Sequence, residues 1–330
     1  MQIGGQAVIE GVMMRAPGSV ATAVRRQDGS IAVRRESYVS FGEKIKISKI
    51  PILRGAVGLI DMMYLGIRTL NFSAEVALYD TEAAAAKKNG TPAKAGQGKK
   101  QSKVALALTL VIALTVGIAI FFVTPLVLTT LLFDVERTAV AFNVTAGAIR
   151  IGILLAYLLA ISSMRDVKRL FQYHGAEHKS VFAFELNDSL VVPSAKRYSR
   201  FHPRCGTSFL LVVMFVAILS FALLDALTIS IFGELTLGIR ILTHLPFIPI
   251  VGGIAYEFIK FSAKHSSSWW GKLIVAPGLW LQKITTKEPD ESQLEVALVA
   301  LQCALGLDDA AKYPLVLPEQ TTVAEASALG

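Results

Sequence analysis

The stretch Val104–Phe133 reads VALALTLVIALTVGIAIFFVTPLVLTTLLF and carries no charge over thirty residues. A bilayer's hydrocarbon core needs about 20. This is a membrane span, with Pro125 expected to kink it or to mark where it leaves the hydrocarbon. Working outward, a short polar loop, Asp134–Asn143, leads to a second span, Val144–Met164, whose Arg150 is expected to snorkel to the surface. Ser208–Phe232 is a third, interrupted by Asp225, read as a packing or oligomer contact. Leu235–Phe258 is a fourth, broken up by Arg240, His244, Pro246 and Pro249 and expected to be kinked or partly unwound.

Composition agrees. The 330 residues are 53% hydrophobic and only 18% charged, against about a quarter charged in soluble domains. The net charge of +8 does not call for nucleic acid, because Lys and Arg gather on the cytoplasmic side of membrane proteins. Arg165–Thr207 holds eight basic residues, whereas Asp134–Asn143 holds only Arg137. Lys99, Lys100 and Lys103 precede the first span, and Lys260 and Lys264 follow the fourth. Both termini and the 165–207 loop are therefore expected in the cytoplasm. The start of the chain lacks a signal-peptide pattern and is expected to be retained. Cys205 and Cys303 fall on the cytoplasmic side, where a disulfide is not expected.

The remainder divides by pattern. Residues 1–52 form a β-rich portion: glycines exclude a helix over 1–19, Val20–Arg25 and Ile31–Arg35 make a hairpin around Gln27–Ser30, and Lys44–Ile50 alternates like another strand. Residues 53–79 form a helix in which Arg54, Asp61, Arg68 and Glu75 recur every seven residues on one stripe. That pattern indicates an amphipathic interfacial helix, a re-entrant one being the alternative. Residues 80–103 are a flexible linker. Within 260–320, Trp269, Trp270 and Trp280 suit an aromatic belt, Pro277-Gly278 breaks the stretch, and Glu291–Leu305 is helical. Residues 321–330 are a disordered tail. The fold class is a mainly α-helical integral membrane protein: transmembrane helices in 104–164 and 208–259, an interfacial helix, and a small α/β cytoplasmic portion with a β-hairpin.

The 165–207 loop carries the chemistry. His174 and His178 lie one helical turn apart, the spacing by which two imidazoles reach one metal ion. With Glu177 they make His-x-x-Glu-His, the inverzincin pattern, in which glutamate is the general base that activates water. His202 and Cys205 add two zinc-capable groups. If all four bind, the site is closed and structural. If three bind, one position stays open and Glu177 becomes catalytic. The third ligand is then His202, Cys205 or a carboxylate such as Glu257 or the nearer Glu185. Glu10 and Arg15, charges in an apolar stretch, are read as a surface salt bridge or as a pair facing this site.

Three motifs, Gly4-Gly5-Gln6-Ala7-Val8-Ile9-Glu10-Gly11-Val12-Met13-Met14-Arg15, His174-Gly-Ala-Glu-His178 and His202-Pro-Arg-Cys-Gly206, resemble the YqhQ-like family of bacterial membrane proteins. That is a family of unknown function described as predicted metal-dependent enzymes, and the resemblance runs from Gly4 to about Glu288. It implies a bacterial inner-membrane location and places Glu10, Arg15 and the central cluster in one functional unit. The expected function is a zinc-dependent hydrolase of a peptide or lipid-linked substrate at the cytoplasmic membrane surface. The alternative is a membrane scaffold or assembly factor with a structural metal. Expected partners are the lipid bilayer, such a membrane-protein or lipid-linked substrate, and a second copy of the chain. No nucleic acid is expected. A transporter is disfavoured because no repeat or paired broken helix is visible.

Overall fold

A computed structural model describes residues 3–45, 47–88, 103–133, 138–233, 235–264 and 268–313. Four strands come first: β1 (Gly4–Val8), β2 (Gly11–Ala16), β3 (Ser19–Arg25) and β4 (Ile31–Ser37). They form one antiparallel meander in sequence order. The expected hairpin is its β3–β4 half, with Gly29 at φ 86° in the turn.

Apolar side chains in β2 and β3 run almost without interruption because both sheet faces are covered. Val12, Met14, Ala21, Ala23 and Val33 meet α6 (Arg165–Glu185) and α11 (Glu291–Leu305) in one core. Val8, Met13, Val20 and Val24 meet Leu65, Phe72 and Val76 of α2 (Leu53–Lys88) in another.

The strand expected over Lys44–Ile50 is instead two short helical pieces, α1 (Phe41–Lys44) and a 3₁₀ turn at Ile47–Lys49. Asp61 of α2 accepts the Phe41 N–H and the Tyr38 hydroxyl, at 3.1 and 2.6 Å. This pulls the chain off the sheet edge as it leaves β4. Ser40 then caps the turn through the Glu43 N–H.

Helix α2 continues to Lys88, through alanines and lysines that favour helix, so it takes up the first part of the expected linker. Residues 89–102 of that linker, and the 321–330 tail, lie outside the described residues. The seven-residue charge stripe has a tertiary explanation. Arg54 pairs with Glu257, Asp61 holds the β4 exit, and Arg68 pairs with Glu36. Further along, Asp80 takes both Arg26 and the Gln27 N–H. Asp80→Ala is expected to leave the half-buried Arg26 guanidinium without its carboxylate, costing about 1–3 kcal/mol. Thermal unfolding of the detergent-solubilised variant checks it.

Among the described residues, four helices are long and apolar enough to cross a membrane. The first comprises α3 (Lys103–Ile118), a π turn at Ala119–Val123, and α4 (Thr124–Leu132). The others are α5 (Ala139–Ser162), α8 (Gly206–Phe232) and α9 (Leu237–Lys264). Proline at 125 has no N–H to give the carbonyl four residues back, that of Phe121. Arg150 supplies the missing donor, its Nε lying 2.9 Å from Phe121 O. Arg150 therefore does not snorkel: it is buried, with its guanidinium over the Phe122 ring. Helix α9 runs through Pro246 and Pro249 without interruption. Helix α10 (Trp269–Thr285) likewise contains Pro277, so the expected break there does not occur.

The 165–207 segment is mostly helical: α6 is followed by α7 (Val192–Lys196). The sheet, α6 and α11, which lie before the first long apolar helix, between the second and third, and after the fourth, pack together. Asp290 starts α11 with a reciprocal capping box to Gln293, and Gly306 ends it in the left-handed conformation.

Candidate metal centre

Helix α6 carries three of the polar groups on one buried face. His178 and Glu177 are almost wholly enclosed, and His174 is half-buried. Cys205 arrives as the N-cap of α8. The ligand atoms of His174, His178 and Cys205 all lie within 4.8 Å of one another.

Hydrogen bonds settle which ring nitrogens face inward. His174 Nδ1 is 2.9 Å from Thr285 O, and His178 Nδ1 is 2.5 Å from Arg200 O. A carbonyl only accepts, so each Nδ1 carries the proton and each Nε2 keeps its lone pair. His174 Nε2 lies 3.2 Å from Cys205 Sγ, and His178 Nε2 is buried without a hydrogen-bond partner among the described residues. Zinc bonds of about 2.0 Å to nitrogen and 2.3 Å to sulfur place tetrahedral ligand atoms about 3.5 Å apart. His174 Nε2 and Cys205 Sγ, 3.2 Å apart, are near that spacing, and the donor types and tautomers are those a zinc-type ion takes, with backbone carbonyls as outer partners of both imidazoles.

Glu177 sits beside this triad, its carboxylate oxygen 3.5 Å from His178 Nε2. Burial pushes its carboxyl above the usual carboxylate range, while His174 and the Gly5 N–H act in the opposite sense. Gly5, on β1, has to be glycine: a Cβ there would lie 2.6 Å from Glu177 Cγ. The first and second motifs thus meet in space. Gly175, which lowers helix propensity within α6, has the same kind of reason, since a Cβ would lie 2.2 Å from Lys287 O. Gly175→Ala is expected to push the 286–289 segment away, together with the Thr285 carbonyl beside it. The cost is about 1–3 kcal/mol, read from the thermal midpoint.

His202 lies close by but is turned away. Its Nδ1 accepts from the Arg204 N–H at 3.3 Å, and its Nε2 faces Glu185 at 3.4 Å. Both ring nitrogens are engaged, so no lone pair is left for a metal. Glu185 is likewise committed, to His202 and Arg204. Burial first, then His178, pushes the His202 pKa down to about 4. An unfolded histidine titrates near 6.5, so lowering the pH first charges the unfolded chain. Stability contributed by neutral His202 is complete above about 6.5 and falls by about 3 kcal/mol toward pH 4. The thermal midpoint should drop across that window, and His202→Gln should flatten the drop.

Three other candidates stand elsewhere. Glu257 forms a two-pronged pair with Arg54, on the α2–α9 contact. Glu10 does not pair with Arg15. The β1–β2 register sets Arg15 opposite Gly4, at the far end of the hairpin from the Glu10 turn. Glu10 instead grips Arg169 of α6 and takes the Tyr173 hydroxyl at 3.3 Å. Arg15 lies over the Tyr38 ring and beside Met62. Glu10 thus anchors the helix that carries the site, one turn before His174. Nothing in the sequence pointed to Arg169, to the Thr285 and Arg200 carbonyls, or to the Gly5 amide, which owe their roles to long-range packing.

A family model described as "Protein of unknown function (DUF1385)" matches residues 50–307. The chain is 33% identical over 313 residues to the "Uncharacterized protein YqhQ" of Bacillus subtilis (strain 168), covering 92% of each. No solved structure matches. Because the family model spans most of the chain and the relative nearly all of it, the chain belongs to the DUF1385 family, in which the YqhQ-like proteins fall.

Proposed function

We propose that this is a multi-pass protein of the bacterial inner membrane that uses His174, His178 and Cys205 to hold a zinc-type ion and Glu177 to move a proton in a hydrolytic reaction. The observation that carries the reading is the convergence of two Nε2 lone pairs and one thiol beside a buried carboxylate. When bound, zinc supplies a Lewis acid and lowers the pKa of a coordinated water. The chain's own residues do the rest. Thr285 and Arg200 orient the imidazoles, Gly5 holds the Glu177 carboxylate, and Glu177 accepts a proton and returns it to the leaving group. Three protein ligands, rather than four, leave a position for substrate or water and favour catalysis over a structural staple.

The basic residues of 165–207 support a cytoplasmic site with both termini on that side. A cavity of about 560 Å³ supports a substrate with an alkyl chain. Leu155, Leu211, Phe215, Phe258, Leu281 and Ile284 line it. Ile284 directly precedes Thr285, whose carbonyl fixes His174. Among the two substrate classes, this favours lipid-linked over peptide.

The test is Glu177→Gln in the purified full-length protein. Metal content should be unchanged and cellular complementation lost, with X-ray absorption showing two nitrogen ligands and one sulfur ligand from the protein. Four protein ligands, or full complementation by Glu177→Gln, would favour the scaffold reading instead.

A further inference from the structure

At the other end of the bundle lies a second polar cluster that the metal centre does not use. Asp225 is seven residues before the end of α8 at Phe232, and His244 seven residues after the start of α9 at Leu237. At a rise of about 1.5 Å per residue both lie roughly 10 Å inside the helix ends. Asp225 and His244 are fully enclosed, and Arg240 and Asn143 nearly so. Ionisable groups at this depth are costly and mark functional pathways.

We infer that Asp225 and His244 form a proton-binding site inside the bundle, with His244 Nδ1 as the atom that takes the proton. Asp225 Oδ1 lies 2.7 Å from His244 Nε2. Its Oδ2 accepts from Asn143 Nδ2 at 2.7 Å and faces Arg240 Nε at 3.5 Å. Asn143 and Arg240 both stand on Oδ2, which leaves Oδ1 as the acceptor for Nε2–H and puts the neutral ring's lone pair on Nδ1. That nitrogen is buried and has no hydrogen-bond partner among the described residues. Asn143 and Arg240 already tie α5 and α9 to Asp225, so joining the helices does not require an imidazole.

Its surroundings suit a ring that changes charge. Phe221 stacks on it at 4.2 Å with planes 7° apart, and Phe122 presents an edge at 6.4 Å. The Phe221 ring face and the Asp225 carboxylate are what a proton on this ring would meet. The cations nearby are Arg240 on its own helix and, across Phe122 and Phe221, Arg150 of α5. In the step itself, a hydronium ion gives its proton to the Nδ1 lone pair: one O–H bond breaks, one N–H bond forms, water is released, and Asp225 offsets the new charge.

The experiment is nitrogen NMR of full-length protein in lipid nanodiscs, labelled with ¹⁵N at histidine. His244 is assigned as the signal absent from His244→Gln. Its ring should pass reversibly from singly to doubly protonated as the pH falls from about 8 to 5. Asp225→Asn should lower its proton affinity at least about tenfold, because the balancing charge is gone. A His244 ring that stays a single neutral tautomer throughout, or an unchanged midpoint in Asp225→Asn, overturns the inference. If Asp225→Asn does not fold, the wild-type titration decides alone.

Discussion

His178→Ala is expected to strip the metal from the purified protein, whereas His202→Ala keeps it. His178 Nε2 is a buried lone pair with no hydrogen-bond partner among the described residues, and its tautomer is fixed by the Arg200 carbonyl. Structural zinc sites bind with about 10–16 kcal/mol. One ligand of three is then worth about 3–5 kcal/mol, on the order of a thousandfold in affinity. His202 has both nitrogens engaged by Arg204 and Glu185 and acts by packing against its neighbours. Its loss should cost far less than that of His178, because its ring makes no hydrogen bond to His174, His178 or Cys205. Competition against a chelator of known affinity measures both. Equal losses in the two variants would mean that His202 swings in as a ligand. No loss in either would remove the metal centre.

Asp225→Ala is expected to be among the most destabilising single substitutions in the helical bundle. It removes the shared acceptor of Asn143, His244 and Arg240, and leaves a guanidinium at membrane depth without its carboxylate. Breaking a buried pair from one side costs about 3–5 kcal/mol. Asp225→Asn keeps one oxygen acceptor and should cost less. Denaturation of the detergent-solubilised protein, followed by helical signal, orders the three chains. An Asp225→Ala protein as stable as wild type would show that α5, α8 and α9 are held by apolar packing alone, chiefly around Phe142, Val216 and Phe221.

Much of the molecule is written locally. A span is a local property, because thirty uncharged apolar residues have no better place than hydrocarbon. The four long apolar helices were therefore readable one segment at a time. So was α11, whose Asp290 cap, apolar periodicity and Gly306 stop all lie within one short stretch. The one-turn spacing of His174 and His178 is local as well, and a helix does carry them.

What the sequence did not show depends on partners far along the chain. Charges every seven residues on α2 look the same whether they face water or a sheet, and only the packed structure gives them Glu257, Tyr38 and Glu36. Pro125 announces a free carbonyl, but Arg150 as its donor is visible only in three dimensions. His202 and Cys205 are equally good ligands by residue type. Only the tertiary structure sets Cys205 against His174 and turns His202 toward Glu185. Sequence by itself determined which segments are long and apolar enough to cross a membrane and which residue types could bind metal, because hydrophobicity and donor chemistry belong to single residues. The tertiary structure decided which lone pairs converge, because the orientation of a side chain is imposed by carbonyls and amides brought from the rest of the chain.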